Sequence, residues 1–353
     1  MTMSAEGPII GGESRSSLVG RPDKRVPDFF IVGHAKCGTT ALYRMLRNHP
    51  QIHMPAKEPR FFAYAEIDMN STEANESAHE SPDSATHKAL GKRPRTLDDY
   101  VALFADAGPG QRVGEATPAY LRSSLAASRI ASVRPDARII AILREPASFL
   151  RSFHLQSVRG YNETEKNFRK AIELVEPRRE GRYVPRLSRM PDDLLYTDHV
   201  RYVEQLRRYH DVFAAEQVLV IIYEDFRDDN EATVRQVLRF LEVDEIAPIR
   251  QVHTRPSRDV RFAQLHKLVN LRRVMLRNVA AADAISRTVD TLTPTRMRGA
   301  VRKNWRRVGY GDPPAPDEEF LRELRHRFKP EVEALSEYLG RDLATLWGYD
   351  DVA

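Results

Sequence analysis

Strand-like and helix-like patterns alternate along this chain. Short strand-like segments stand at 29–32, 112–115, 137–143 and 218–223, and helical periodicity follows each of them, at 40–48, 123–133, from 148 onward and at 231–241. That alternation predicts βαβ units around a parallel sheet, an α/β fold with helices flanking a central sheet. The runs at 137–143 and 218–223 are almost continuously apolar, the pattern of central strands covered on both faces. Within 231–241, Val234, Val237, Leu238 and Leu241 recur at helical spacing, with Asn230 as an N-cap. Further on, 317–328 places Leu321, Leu324 and Phe328 on one face. Pro330 then suits the first turn of a last helix that stops near Gly340.

Two stretches break the alternation. Residues 66–95 are rich in Ser, Glu, Asp, Asn and His with few apolar side chains, so they read as a mobile insertion, either a lid over an acceptor site or a surface loop. Between 253 and 307 the chain turns basic and helical in pattern, with an amphipathic face that either packs on the core or borders an acceptor or a lipid. Residues 1–26 read as a disordered tail, which leaves 27–350 as a single domain. At 353 residues and 41% hydrophobic composition, no third domain is needed to bury a substantial core.

Charge and cysteine content narrow the chemistry. A net charge of +5 from 55 Lys+Arg against 50 Asp+Glu is only mildly basic, which suits an anionic small ligand. There is no basic run interleaved with aromatics, so nucleic acid is not an expected partner. Cys37 is the only cysteine, which excludes an intrachain disulfide and multi-cysteine zinc sites and fits a reducing cytoplasm. The tail lacks the apolar core of a secretory signal, and no segment approaches the roughly 20 apolar residues of a membrane span, so the expectation is a cytoplasmic protein.

The most informative stretch is 29–41, FFIVGHAKCGTTA. An apolar strand enters a GxxxxGTT turn and a helix follows, the arrangement in which backbone amides and a helix N-terminus converge on one phosphate. In the nucleotide triphosphate version, GxxxxGK[ST], lysine follows the second glycine. Here Thr39 has that place and the lysine is Lys36, inside the loop. That displacement suggests a cation beside the 5′ end of a nucleotide rather than a clamp on β- and γ-phosphates.

Three further signals fall at or just past the ends of expected strands, where open parallel sheets bind ligands. Arg144 directly follows the strand at 137–143 and Ser152 lies eight residues on; together they can grip one phosphate from two sides. Glu58, in Lys57-Glu58-Pro59-Arg60-Phe61-Phe62, sits between two cations that favour its ionised form, and a carboxylate near an acceptor hydroxyl can act as general base. Glu115, in the segment 114–120, GEATPAY, either positions substrate or partners a loop cation. His53 and His154 are alternative bases.

Taken together, GHAKCGTTAL, KEPRFF, GEATPAYL, LREP with Ser152, YEDF at 223–226 and the tail LRHRFKPEVEALSEYLGRDL resemble the sulfotransferases that use 3′-phosphoadenosine 5′-phosphosulfate, specifically bacterial members related to the carbohydrate-modifying enzymes. The resemblance runs from about Phe29 to Trp347 and implies a three-layer sandwich like that of P-loop nucleotide hydrolases. It implies that Lys36, Cys37, Gly38, Thr39, Thr40 and Ala41 surround the 5′-phosphosulfate, that Arg144 and Ser152 hold the 3′-phosphate, and that Glu58 is the base. It also implies in-line transfer to a hydroxyl of a carbohydrate, glycolipid or secondary metabolite, with adenosine 3′,5′-bisphosphate leaving and no obligatory metal. Peripheral membrane contact is compatible with it.

The chain departs from the family pattern in places. Many relatives have a second arginine five residues after the first and an aromatic two after the serine; this chain has Phe149 and His154, with Arg151 as a substitute for the arginine. Near Val308-Gly309-Tyr310 it lacks the cations of the family's C-terminal nucleotide loop, leaving Arg306, Arg307 or Tyr310 to contact the nucleotide. The competing reading is a P-loop small-molecule kinase using ATP and magnesium, with the acidic pair Glu224-Asp225 after the strand at 218–223.

Overall fold

A computed structural model describes residues 25–55, 57–63, 94, 96–160, 162–186, 188, 190–245 and 314–351, together with the backbone of 259–260 and 310–311. Five parallel strands form its main sheet: β1 (Phe29–Gly33), β2 (Ile52–His53), β3 (Arg112–Ala116), β4 (Arg138–Leu143) and β5 (Val218–Ile222). Their spatial order is β2-β3-β1-β4-β5. The chain therefore passes from β1 to the far edge strand β2, fills β3 in between, and then crosses to lay β4 and β5 on the other side of β1. This makes the carboxyl end of β1, between β3 and β4, the point where strand order reverses and ligands of open α/β sheets bind.

The central position of β1 follows from its composition. Phe29, Phe30, Ile31 and Val32 are fully buried, each such burial contributing about 1.5–3 kcal/mol. In β4, Ile139 to Leu143 are equally buried, as the apolar run predicts. By contrast, β5 is an edge strand among the described residues, and Val218, Leu219 and Val220 are only half-buried. The expectation of two central strands is corrected here: β-branched composition signals a strand, and the number of its neighbours is decided by topology.

Helices flank this sheet. They are α1 (Thr39–Leu46), α2 (Leu97–Ala102), α3 (Ala126–Val133), α4 (Pro146–Arg159), α5 (Phe168–Glu173), α6 (Val175–Arg179), α7 (Tyr202–His210), α8 (Tyr223–Asp228), α9 (Asn230–Phe240), α10 (Glu318–Leu339) and α11 (Leu343–Trp347). A two-residue antiparallel ladder joins β6 (Asp259–Val260) to β7 (Tyr310–Gly311).

Three local expectations are corrected. The helix expected at 123–133 starts at Ala126, because the Ser123 hydroxyl accepts from the amides of Leu125 and Ala126 and closes a turn first. The N-cap of α9 is Asp229, which accepts from the Ala232 amide, while Asn230 is its first helical residue. Pro330 does not open a new helix: α10 runs through it to Gly340, whose left-handed φ of 61° ends it. Phe320, Leu321, Leu324, Phe328, Val332 and Leu335 form one buried face on both sides of the proline, and that continuous burial outweighs the lost backbone bond.

Arg25 donates to the carbonyls of Gly108 and Gln111, and Val26 packs on the core, so these two residues of the expected tail are held against the fold. The insertion at 66–95, apart from Pro94, and the side chains of 302–310 lie outside the described residues.

Candidate active site

The loop after β1 crosses the carboxyl edge of the sheet. The His34 amide donates to the Ile142 carbonyl of β4 at 2.7 Å, and the Leu121 amide donates to the Val32 carbonyl at 2.7 Å. A Cβ at Gly33 would sit 2.5 Å from that of Leu121, and one at Gly38 would sit 2.9 Å from the Phe226 ring, so neither position has room for a side chain. Gly38 also has a φ of 87°, which turns the chain into α1. Beneath the loop, His34 Nε2 bonds Gln205 Oε1 at 2.7 Å. Gln205 donates its amide to the Asp198 and His199 carbonyls, which fixes its oxygen toward His34 and makes the imidazole the donor. Burial then holds His34 down to about 4, the Gln205 bond opposing it and Arg122 adding to it.

Lys36 lies at the crest of this loop with a left-handed φ of 64°. Burial first, then Arg159 and Arg144, bring its ammonium down to about 8. Cys37 and Thr39 are buried, Gly38 is half-buried, Thr40 is exposed and Ala41 is buried. Burial pushes the Cys37 thiol up to about 12, which makes it an inert packing group.

From the end of β4, Arg144 donates through Nη1 to the Lys36 carbonyl at 3.2 Å. Its guanidinium lies over the Tyr223 ring at 4.7 Å, and its own carbonyl accepts from the Tyr202 hydroxyl at 2.9 Å. Arg144 Nε is buried without a hydrogen-bond partner among the described residues. The next residue, Glu145, caps α4 by accepting from the amides of Ala147 and Ser148, and it accepts the Tyr349 hydroxyl at 2.7 Å. The C-terminal segment thus braces the start of α4. Ser152 is buried two turns into that helix. Arg151 turns instead to the Pro314 carbonyl, at 2.6 Å.

Residues 57–62 run along the end of β3. The Glu58 amide donates to the Ala116 carbonyl at 2.9 Å, and the Arg60 amide donates to Thr117 Oγ1 at 3.3 Å. The Glu58 carboxylate meets Lys57 Nζ at 2.5 Å and Arg60 Nη2 at 3.2 Å. Burial alone would push that carboxyl up; Lys57 and then Arg60 outweigh it and hold it down at about 2. Glu115, fully buried below, accepts from Thr117, Tyr100 and Tyr120. Burial raises Glu115 to about 7 against those three bonds.

The structure therefore gathers Lys36, its neighbouring loop residues and Arg144 at the β1/β4 edge, and hangs Glu58 on the adjoining end of β3. His154 is bonded through Nε2 to the Glu165 carbonyl at 2.8 Å and packs on Phe168 and Tyr196, a core role. His53 lies on β2, its pKa lowered by burial.

A sequence profile of the sulfotransferase family matches residues 27–247. The chain belongs to the sulfotransferase family. It is 28% identical over 159 residues to heparan sulfate glucosamine 3-O-sulfotransferase 3B1 of Mus musculus, covering 44% of this chain and 33% of that protein. It is 31% identical over 135 residues to heparan sulfate glucosamine 3-O-sulfotransferase 6 of Homo sapiens, covering 38% of this chain and 32% of that one. The chain thus spans about a third of the length of the curated relatives it matches. A crystal structure of a sulfotransferase from Alicyclobacillus acidocaldarius superposes with a TM-score of 0.60 at 28% identity, covering 92% of this chain and 99% of that one. The P-loop-like α/β fold expected from the motifs is the fold this sulfotransferase has.

Several site features of this sulfotransferase were not anticipated. Arg159 lies seven residues after Ser152 on α4, two helical turns along the same face, and it acts on Lys36. That spacing was the available signal. No sequence pattern announced Gln205 or Tyr349, which reach the site only through the packing of α7 and the C-terminal segment.

Proposed function

We propose that the chain transfers a sulfuryl group from 3′-phosphoadenosine 5′-phosphosulfate to an acceptor hydroxyl. The observation that carries this reading is Arg144: a charged fork with one arm on the Lys36 carbonyl and a buried Nε lacking an acceptor, beside a loop rich in amides. A phosphate would satisfy that nitrogen.

On this reading Lys36, Cys37, Gly38, Thr39, Thr40 and Ala41 surround the 5′ end, and Arg144 with Ser152 holds the 3′-phosphate. When bound, the donor supplies an activated sulfuryl group whose bridging oxygen departs with adenosine 3′,5′-bisphosphate. Lys36 places a cation where negative charge develops on that oxygen. Glu58 takes the proton of the acceptor hydroxyl. Its resting carboxylate is ionised at neutral pH but weakly basic, so it gains proton affinity as Lys57 and Arg60 shift their bonds to the acceptor. Magnesium has no part in these steps.

The acceptor class is a carbohydrate hydroxyl, supported by the names of the matched relatives; glycolipids and secondary metabolites share that chemistry. The proposed working unit is one domain over 27–350, acting in the cytoplasm. Among the described residues no helix is long and apolar enough to cross a membrane. The kinase reading fares worse because Thr39 stands where a clamp lysine for β- and γ-phosphates would be, while both oxygens of Asp225 pair with Arg341 and Glu224 Oε2 accepts from the Trp347 indole.

The test is transfer of ³⁵S label from the phosphosulfate donor, without magnesium, to chemically desulfated heparin and to p-nitrophenol. Label on a hydroxyl that Lys36→Ala abolishes supports the reading; label on amines alone would remove the role of Glu58.

A further inference from the structure

Residues 57–62 carry two strained positions either side of Pro59. Glu58 and Arg60 both have left-handed φ, 64° and 59°, a conformation that costs a side-chain-bearing residue about 1–2 kcal/mol. Such a loop keeps its shape only where its surroundings hold it. Here the end of β3 and the residues after it supply the hold. The Glu58 amide is taken by the Ala116 carbonyl, the Arg60 amide by Thr117 Oγ1 and the Phe62 amide by the Tyr120 hydroxyl, the last two at 3.3 Å.

Both hydroxyls have a single proton and could point it at the loop, where it would meet another donor. Glu115 decides the matter. Its Oε1 receives the Thr117 proton at 2.5 Å and its Oε2 receives the Tyr120 proton at 3.2 Å, while Tyr100 donates to Oε2 as well. Above its raised value of about 7 the Glu115 carboxylate is ionised and an acceptor only, so each hydroxyl is fixed with its lone pairs turned toward the amides of Arg60 and Phe62. Full burial of Glu115 excludes water as a substitute, and it leaves Glu115 out of reach of any substrate.

We infer that Glu115, acting through Thr117 and Tyr120, is a positioning residue for Glu58. It sets the hydrogen-bond polarity beneath the strained loop and so fixes where the Glu58 carboxylate stands. The inference rests on the reading of Glu58 as the base. It separates the machinery into two halves: the network under β3 governs proton removal, and the loop after β1 with Arg144 governs nucleotide binding.

The test uses the full chain with ³⁵S-labelled phosphosulfate donor and the desulfated heparin and p-nitrophenol probes, water standing as acceptor if neither takes the label. Thr117→Val removes the hydroxyl with little change of shape. It is expected to lower kcat about tenfold or more with the donor KM and the adenosine 3′,5′-bisphosphate Kd unchanged within about twofold. Thr117→Ser is expected to restore kcat, and amide exchange at Arg60 is expected to speed up in Thr117→Val alone. Glu115→Gln, which can donate to Thr117 and so loosen its orientation, should fall between. If Thr117→Val and Glu115→Gln both keep kcat within about twofold, or if kcat falls only in step with nucleotide affinity, the inference is wrong. Glu58→Gln separates this failure from a failure of the underlying reading: an active Glu58→Gln removes the base, whereas an inactive Glu58→Gln beside a normal Thr117→Val removes only the positioning role.

Discussion

Arg144 donates to the backbone carbonyl of Lys36, 108 positions earlier, at 3.2 Å. The bond ties the end of β4 to the crest of the loop after β1, so two cations share one edge of the sheet. Burial first, then repulsion from Arg159 and from Arg144, keeps the Lys36 ammonium near 8. A site that holds cations close together with no carboxylate paired to them among the described residues suits an anion.

Protonation of Lys36 yields a first prediction. With a resting value of about 8, the lysine is charged below that pH and largely neutral above it, and a bound phosphate favours the charged form. Binding of adenosine 3′,5′-bisphosphate at pH 9 should therefore take up a proton, and affinity should weaken as pH rises past about 8. Calorimetry in two buffers of different ionisation enthalpy measures the uptake. It should be absent in Lys36→Arg, whose guanidinium stays charged.

Glu58→Gln should leave nucleotide affinity unchanged and cut turnover by about 10²–10⁴. Its effect on stability has a defined pH window. A carboxyl held at about 2, below its ordinary 4.5, contributes stability that is fully present above 4.5 and lost as pH falls toward 2. The urea midpoints of wild type and Glu58→Gln should accordingly converge over that range, with m-values unchanged.

How much of this was legible in the sequence depended on how local each cause is. The loop after β1 was readable because glycine spacing, an apolar entry and a helical exit all lie within thirteen residues. Arg144 was readable as the first polar residue after a buried strand. The edge position of β5 was not, since the same apolar run suits a strand with one neighbour or two. Nor was continuity of α10 through Pro330, because the buried face that enforces it becomes visible only once Phe320 to Leu335 are packed. Glu115 reads in the sequence as positioning substrate or partnering a loop cation; that it is instead buried under three hydroxyl donors was not legible, because those donors come from α2 and the loop after β3.

Gly38→Ala should be severe. The left-handed φ costs about 1–2 kcal/mol for alanine, and the new methyl must displace the Phe226 ring. We expect a lower thermal midpoint and loss of nucleotide binding together, measured by thermal denaturation with and without adenosine 3′,5′-bisphosphate.

A buried ion pair joins the segment just after α4 to α6. Glu163 meets Arg178 Nη1 at 2.7 Å and Nη2 at 2.8 Å, and Tyr196 donates to it at 3.0 Å, with both charged side chains almost wholly buried. Arg178→Ala strands the carboxylate and should cost about 3–5 kcal/mol in urea denaturation. Replacing both partners with apolar residues should cost much less.

The central claim is tested most directly by titrating wild type and Arg144→Ala with adenosine 3′,5′-bisphosphate in a calorimeter without magnesium, with ATP plus magnesium as the competing ligand. Loss of a charged, forked contact predicts magnesium-free binding in the wild type that weakens about a hundredfold in Arg144→Ala, with little competition from ATP. Tighter, magnesium-dependent binding of ATP, indifferent to Arg144→Ala, would contradict the account.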